Sequence, residues 1–240
     1  CELCPRRCGV DRSSGAVGFC GAGGSAVRIS RAALHAWEEP CISGTRGSGT
    51  IFFSYCTLRC VYCQNLPVSR GIAGIEVEIS RLAEIMLELE AQGAHNINLV
   101  TPTHYAVQIL EAIEIARRRG LSLPIVYNTG GYELSSAIER LRGAVDIFLT
   151  DYKYATNADA LRYSGAADYI ENADAALAKM VELAPLSFSS DGLLRSGVIV
   201  RHLLLPGKLT AAKNVLKRIF TRYQNNIYYS LMSQYTPVPG

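Results

Sequence analysis

From Thr50 onward, near-continuous apolar runs alternate with segments whose apolar residues recur at helical spacing. Residues 50–55 form an apolar run typical of a buried strand, whereas residues 80–92 place apolar side chains on one helical face and stop at Gly93. The same alternation repeats along the rest of the chain. Further strands are predicted over residues 96–101, 124–127, 146–150, 197–205 and 226–233, and further helices over residues 105–119, 133–141, 168–183 and 210–222.

Six alternations of an apolar strand and an amphipathic helix predict an α/β fold with a parallel sheet that is covered on both faces. A partial (β/α)6 barrel, similar to part of a TIM barrel, and an open doubly wound sheet both fit this pattern. Both folds gather their chemistry at the carboxyl ends of the strands. Polar clusters follow five of the predicted strands, at residues 56–63, 101–104, 128–131, 151–153 and 234–235.

The first 45 residues differ from this pattern because they hold four cysteines, a glycine-dense stretch and little apolar periodicity. We therefore predict a small Cys-rich metal-binding module over residues 1–45 that needs a metal to be ordered, followed by the barrel over residues 46–240. The chain opens on Cys1 rather than Met and stops at Pro239 and Gly240, just after a predicted strand. Truncation at the carboxyl end is one interpretation of these ends.

Composition narrows the class of protein. With 49% hydrophobic and 19% charged residues, the chain is globular, and no apolar run approaches the roughly 18 residues that a membrane span needs. The formal charge of +3 is too small to indicate a nucleic-acid partner. Eight cysteines without a signal peptide favour metal or cluster ligation in a reducing cytoplasm over a disulfide framework.

The most informative cysteines are Cys56, Cys60 and Cys63, which form a Cys-x3-Cys-x2-Cys motif after the first predicted strand of the repeat. This spacing lets three thiolates converge on one centre, as they do around iron–sulfur clusters or zinc. A four-iron cluster takes four ligands, so three cysteines leave one iron open. The alternative is a zinc site completed by a distant histidine or by Cys41.

This motif, with an aromatic residue just before its last cysteine and directly after the first strand of a six-fold β/α repeat, resembles the radical S-adenosylmethionine (SAM) superfamily. Residues 47–54 before the motif, Gln64 and Asn65 after it, and the opening residues 1–12 are similar to the branch related to pyruvate formate-lyase activating enzymes. The likeness extends over almost the whole chain. It favours the partial barrel over the doubly wound sheet.

The resemblance implies that Cys56, Cys60 and Cys63 hold a [4Fe-4S] cluster whose open iron binds the amino and carboxylate groups of SAM. Reductive cleavage of SAM would then release a 5′-deoxyadenosyl radical, while the protein holds SAM against the cluster and excludes water. The resemblance also implies that Tyr62 lies near the adenine of SAM. An aromatic residue at this position fits simple packing as well.

By matching motif positions, the resemblance further implies that Asn128, Thr129, Asp151 and Lys153 line the SAM pocket. A purely structural role is the alternative both for Asn128 with Thr129 and for Asp151 with Lys153. The first two residues suit a turn and helix cap, and the last two suit a surface ion pair worth less than about 1 kcal/mol.

The chain departs from the family pattern after the second strand of the repeat. The usual Gly-Gly-Glu element is replaced by residues 100–105, in which Thr101, Thr103 and His104 are candidates for equivalent polar contacts. His104 suits either a contact with substrate or a hydrogen bond to a backbone carbonyl.

Cys1, Cys4, Cys8 and Cys20 supply four soft ligands for a second, closed site. Four thiolates suit either a tetrahedral zinc site or a fully ligated auxiliary iron–sulfur cluster, and the spacing leaves both open. Some relatives carry auxiliary clusters in a leading or inserted segment. Cys41 is most simply a small buried apolar residue.

The resemblance implies an oxidoreductase that activates a glycyl radical enzyme and takes its electron from a flavodoxin- or ferredoxin-type reductant. Radical modification of another peptide or of a small molecule is the alternative, because a fold does not fix a substrate. A non-catalytic iron–sulfur electron carrier has no need of six β/α units with polar groups at five strand ends. No side chain is assigned as the catalytic residue at this stage.

Overall fold

A computed structural model describes residues 1–237, so Pro239 and Gly240 lie outside the described residues. Its strands are β1 (Val27–His35), β2 (Ser48–Phe53), β3 (Ile75–Val77), β4 (Ile97–Val100), β5 (Ile125–Thr129), β6 (Ile147–Asp151), β7 (Ser187–Phe188), β8 (Leu194–Leu203) and β9 (Tyr228–Met232). Its helices are α1 (Pro40–Ser43), α2 (Leu66–Ser69), α3 (Ile79–Ala91), α4 (Ala106–Arg118), α5 (Ser135–Glu139), α6 (Asn157–Ser164), α7 (Tyr169–Leu183) and α8 (Leu209–Tyr223).

Six of these strands run parallel and are neighbours in the order β2, β4, β5, β6, β8 and β9. A doubly wound sheet reverses its strand order at a switch point, and this sheet does not. Each parallel strand instead lies beside its predecessor, as in a barrel, and the strands of residues 1–237 do not close into a ring. The predicted α/β fold with a partial (β/α)6 barrel is confirmed.

Residues 1–45 contain a strand, β1, that the sequence analysis did not predict. This strand pairs antiparallel with β2 and with β3, so the sheet begins well before the predicted boundary at residue 45. Its apolar signal is short, because only Val27 and Ile29 are fully buried. The strand forms because β2 would otherwise expose its backbone donors and acceptors at an open sheet edge.

The two faces of the sheet have different partners. On β5 and β6, Tyr127 and Phe148 belong to the large core shared with the buried faces of α3 and α4. Their chain neighbours on the opposite face, such as Val126 and Leu149, pack against Ile42 of α1. Because side chains alternate along a strand, this second face also carries Asn128 and Asp151 at the strand ends.

Some helices differ from the sequence-based predictions. The predicted helix over residues 133–141 is shorter, at Ser135–Glu139, and Asn157–Ser164 forms a helix that the apolar pattern did not predict. That short helix is polar, and the residues that cap its two ends determine where it begins and ends. Thr156 accepts a hydrogen bond from the backbone N–H of Asp159, and Gly165 closes the helix in the left-handed conformation. Within residues 1–237, no helix is both long enough and apolar enough to cross a membrane.

Candidate active site

The loop after β2 carries Cys56, Cys60 and Cys63 at the carboxyl end of the parallel strands. Tyr55 and Arg59 have positive φ angles of 74° and 50°, so the chain turns sharply on either side of Cys56. Left-handed backbone is unusual for residues other than glycine, and it marks this loop as held in place by its surroundings.

Polar groups surround the sulfur atoms of this loop. The backbone N–H of Leu58 donates to Cys56 Sγ at 3.4 Å, and the hydroxyl of Ser164 donates to Cys60 Sγ at 3.0 Å. Such donors favour the thiolate, which is the form that ligates metal. Burial and the neighbouring Cys60 raise the pKa of Cys56 to about 11. A thiolate here therefore needs a positively charged centre to persist at neutral pH.

The three thiols share one cavity of about 190 Å³ with residues of five strands, β2, β4, β5, β6 and β8. Each predicted residue at a strand end, namely Asn128, Thr129, Asp151 and Lys153, lines this cavity, and so does Thr101. Arg201 of β8 also lines it, and the sequence analysis did not identify this residue. Its signal was present, because it interrupts an apolar strand on the same face as the buried Ile199.

Asp151 lies between two cations on the cavity wall. Its carboxylate accepts from Lys153 Nζ at 2.6 Å and from Arg201 Nε at 3.0 Å. Arg201 also donates to Asn128 Oδ1 at 2.7 Å and lies 3.4 Å from the carboxylate of Glu38. The side chains of Asp151, Lys153 and Arg201 are only 16%, 21% and 16% exposed. Asp151 and Lys153 therefore do not form the surface ion pair considered above.

The charges in this network hold one another ionised. Burial alone raises the pKa of Asp151, but the adjacent Lys153 and Arg201 outweigh burial and lower it. Burial alone lowers the pKa of Lys153, but the Asp151 carboxylate and then Cys60 outweigh burial and raise it. A ligand in the cavity therefore meets fixed positive and negative groups beside three thiols.

The model of the family described as "Radical SAM superfamily" matches residues 50–193, which include the cysteine loop and the strand ends from β4 to β6. The chain belongs to the radical SAM superfamily. It is also 27% identical to the uncharacterized protein MJ0674 of Methanocaldococcus jannaschii, over 99% of this chain and 66% of that protein. The chain therefore spans about two thirds of the length of that relative.

Membership in the radical SAM superfamily implies a [4Fe-4S] cluster and SAM as cofactors, and the residues around the cavity fit them. Three thiols open onto the same space as Asp151, Lys153 and Arg201, so soft ligands and groups for an amino acid moiety lie side by side. Within residues 1–237, no three His, Cys, Asp or Glu side chains are grouped to hold a single metal ion. Ligands of a cluster bind different iron atoms, and their sulfur atoms need not share one ion.

Residues 100–105 replace the Gly-Gly-Glu element of radical SAM relatives, and their polar side chains lie in two different surroundings. Thr101 lines the cavity and has a positive φ angle of 60°. Thr103 instead donates its hydroxyl hydrogen bond to Glu133, which also accepts from Thr129. Glu133 is buried and had no recognisable signal in the sequence, because it follows a glycine-containing turn rather than a strand end. It orients Thr129 from behind the cavity wall.

His104 adopts the second of its two predicted roles. Its ring Nε2 lies 2.8 Å from the backbone oxygen of Ser54, so Nε2 carries the hydrogen and donates to a carbonyl. Burial lowers the pKa of His104 to about 4, and the ring is neutral at physiological pH. The residue anchors the chain just before the cysteine loop.

Tyr62 lies outside the set of residues that line the cavity. Its hydroxyl donates to the Tyr154 hydroxyl at 3.0 Å, and its ring makes edge contacts with Tyr154 and Tyr163. This aromatic cluster supports the loop from behind. The contact between Tyr62 and adenine stays a prediction.

The four amino-terminal cysteines lie together. Cys1, Cys4, Cys8 and Cys20 line a second, small cavity with Arg12 and His104. Cys41 is apart from both sets and packs, half-buried, against the core under α1. Within residues 1–237, those thiols are not grouped to hold a single metal ion, and ligation by the four amino-terminal cysteines stays a prediction.

Proposed function

We propose that the protein cleaves SAM reductively and uses the resulting radical to abstract hydrogen from a glycine of a partner protein, as a glycyl-radical-enzyme activase. The observation that carries this proposal is the shared cavity of Cys56, Cys60 and Cys63 with the charged residues at the strand ends. When bound, a four-iron cluster with one open iron supplies the electron that splits the sulfonium of SAM.

The side chains of this chain bind and orient the cofactor in the proposal. Cys56, Cys60 and Cys63 hold the cluster. Lys153 and Arg201 attract the carboxylate of SAM, and Asp151 attracts its amino group, because each charge is buried and faces the cavity. Asn128 and Thr129 offer polar contacts at the adjacent strand end.

One feature supports a protein substrate over a small molecule. Within residues 1–237, the six parallel strands do not close into a ring, so a glycine-bearing loop has a lateral way in. A peptide that enters there would exclude water and bring its C–H bond close to the radical. A flavodoxin- or ferredoxin-type protein in the cytoplasm supplies the electron.

The first test measures the coarse activity. Protein purified without oxygen, loaded with iron and sulfide and mixed with SAM and dithionite is expected to form 5′-deoxyadenosine. The Cys60→Ala variant, in which two thiols remain, is expected to form none. Equal rates in both proteins would overturn the site assignment.

The second test separates the two substrate classes. Peptides with a single internal glycine, and matched peptides with alanine at that position, are mixed with reduced enzyme and SAM. An activase gives a carbon-centred glycyl signal by electron paramagnetic resonance and faster SAM cleavage with the glycine peptides only. Silence with every glycine peptide, together with hydrogen exchange between labelled 5′-deoxyadenosine and a small metabolite, favours radical modification of a small molecule instead.

A further inference from the structure

The thiol of Cys60 has two hydroxyl groups beside it. Ser164 donates to Cys60 Sγ at 3.0 Å, and the hydroxyl of Tyr154 lies 3.6 Å from the same sulfur atom. Within residues 1–237, no hydroxyl group donates to Cys56 or Cys63. Cys60, Ser164 and Tyr154 are each at most 7% exposed. Water therefore does not compete for these hydrogen bonds, and the low local polarity strengthens them.

The hydroxyl groups form a chain that ends on Cys60. Tyr62 donates to the Tyr154 hydroxyl at 3.0 Å, and the hydroxyls of Tyr154 and Ser164 are hydrogen-bonded to each other. A hydroxyl has one hydrogen to donate, so a thiolate at Cys60 takes the hydrogen of Ser164. Tyr154 then donates to Ser164, and Tyr62 donates to Tyr154. Each hydrogen bond polarises the next one, so the chain strengthens the donor that reaches the sulfur.

Ser164 lies at a position where a serine commonly makes a different hydrogen bond. It is the last residue of α6, and a helical serine often donates to the carbonyl oxygen four residues earlier. Within residues 1–237, its hydroxyl is bonded only to Cys60 and Tyr154. Gly165 follows with a φ angle of 59°, so the chain leaves the helix directly after the serine. The end of α6 therefore presents this hydroxyl to the cysteine loop rather than to its own backbone.

Backbone contacts hold the end of α6 against the cysteine loop. The backbone N–H of Val61 donates to the backbone oxygen of Tyr163 at 2.9 Å. The Arg6 guanidinium donates to the backbone oxygens of Ser164 at 2.6 Å and of Thr57, in the loop, at 2.8 Å. A cation suits the carboxyl end of a helix, where carbonyl oxygens lack helical partners. The hydroxyl of Ser164 is therefore held beside the sulfur by the backbone around it as well as by its own hydrogen bonds.

We propose that Ser164 is a positioning residue that raises the reduction potential of the bound four-iron cluster by donating to Cys60 Sγ. Tyr154 and Tyr62 strengthen this donor. The inference rests on the part of the proposed function that places the cluster at the cysteine motif. One-electron reduction adds negative charge to the cluster and its sulfur ligands, so a donor to a ligand sulfur stabilises the reduced state more than the oxidised state. A flavodoxin-type protein gives the electron, the cluster passes from the 2+ to the 1+ state, and the hydroxyls keep their hydrogens.

A redox titration of the loaded protein measures the effect. The parent and Ser164→Ala are loaded with iron and sulfide without oxygen, and the reduced cluster is followed by electron paramagnetic resonance at fixed potentials in the absence of SAM. Loss of one hydrogen bond to a charged group is expected to lower the ratio of reduced to oxidised cluster at a given potential by roughly tenfold, or about 59 mV for one electron. A midpoint potential equal to that of the parent would overturn the proposal.

A matched control separates the hydrogen bond from the stability of α6. Thr156 caps the other end of this helix, and within residues 1–237 it makes no hydrogen bond with the cysteine loop. Thr156→Ala therefore weakens the helix and leaves the donor at the sulfur in place. Its midpoint potential is expected to equal that of the parent. An equal shift in Thr156→Ala and Ser164→Ala would show that the potential follows helix stability and would overturn the proposal.

The chain of hydroxyls also predicts an order of effects. Tyr154→Phe leaves Ser164 as a donor to the sulfur but removes the hydrogen bond that polarises it, so a smaller shift is expected. Tyr62→Phe acts one hydrogen bond further away and is expected to shift the potential least. A shift in Tyr62→Phe as large as that in Ser164→Ala would contradict the proposed direction of the chain.

A second measurement detects the donated hydrogen itself. Electron–nuclear double resonance of the reduced cluster, in normal and in deuterated water, is expected to show an exchangeable hydrogen in the parent that is missing from Ser164→Ala. The same exchangeable hydrogens in both proteins would overturn the assignment of the donor. A parent that takes up no four-iron cluster would count against the proposed function and this inference together. Intact clusters with equal potentials would overturn the inference alone, so the two failures are distinguishable.

Discussion

Replacing Glu133 by glutamine is expected to stabilise the protein above neutral pH. The side chain is 1% exposed, and one carboxylate oxygen accepts from the hydroxyls of Thr103 and Thr129. Its other oxygen, Oε2, is buried without a hydrogen-bond partner among the described residues. An ionised carboxylate in this position is therefore poorly solvated, which favours the neutral acid.

The magnitude follows from the pKa. Burial raises the pKa of Glu133 from 4.5 to about 7, although the two threonine hydroxyls act in the opposite direction. Because the pKa is raised in the folded state, the stability contributed by the protonated acid is fully present below pH 4.5. It is lost as the pH rises through 7. At about 1.4 kcal/mol per pH unit, the folded protein loses on the order of 3 kcal/mol of unfolding free energy between pH 4.5 and pH 8.

In Glu133→Gln, the amide oxygen accepts from the same two threonines and no charge forms at any pH. The test is urea unfolding of the parent and the variant across this pH range, with Glu111→Gln as a control at an exposed position of α4. The difference in unfolding free energy between parent and Glu133→Gln is expected to change by on the order of 3 kcal/mol, and that with Glu111→Gln by much less. The infrared C=O band of a protonated carboxyl at pH 6 should disappear in Glu133→Gln. A constant free-energy difference, or no such band in the parent, refutes the reasoning.

Three further outcomes are expected. Cys60→Ala should lose SAM-dependent formation of 5′-deoxyadenosine, whereas Cys41→Ala should retain it; a parent-like rate in the first would contradict the ligand assignment. Asp151→Asn removes the carboxylate between two buried cations and should lower the free energy of unfolding in urea by about 3–5 kcal/mol. The same variant should bind SAM more weakly by calorimetry, and an unchanged SAM affinity would argue against a role of Asp151 in binding. Tyr62→Phe removes the hydrogen bond to Tyr154 and should cost about 1 kcal/mol in unfolding free energy with SAM affinity unchanged. A large loss of affinity in that variant would show that the hydroxyl serves the cofactor.

Strong periodicity made most of the sheet predictable from the sequence. The central parallel strands β5 and β6 are apolar runs, since they are buried on both faces. Residues 146–150 and 226–233 were predicted close to the observed β6 and β9. β1 was not predicted, because half of it faces solvent and its role is to cover the edge of β2. Such a strand forms because it pairs with a neighbouring strand, and its own composition gives little indication of it.

Part of the candidate site could likewise be predicted from short stretches of sequence, whereas the rest depends on contacts between residues far apart in the chain. By itself, the sequence determined the cysteine motif and the polar strand ends, because three thiols within eight residues must converge and parallel strands end at one edge. Only the tertiary structure decided that Arg201 pairs with Asp151, since their contact depends on the register between β6 and β8. Only it brought Cys20 to Arg59, because residues far apart in the chain meet through loop docking that has no period to recognise.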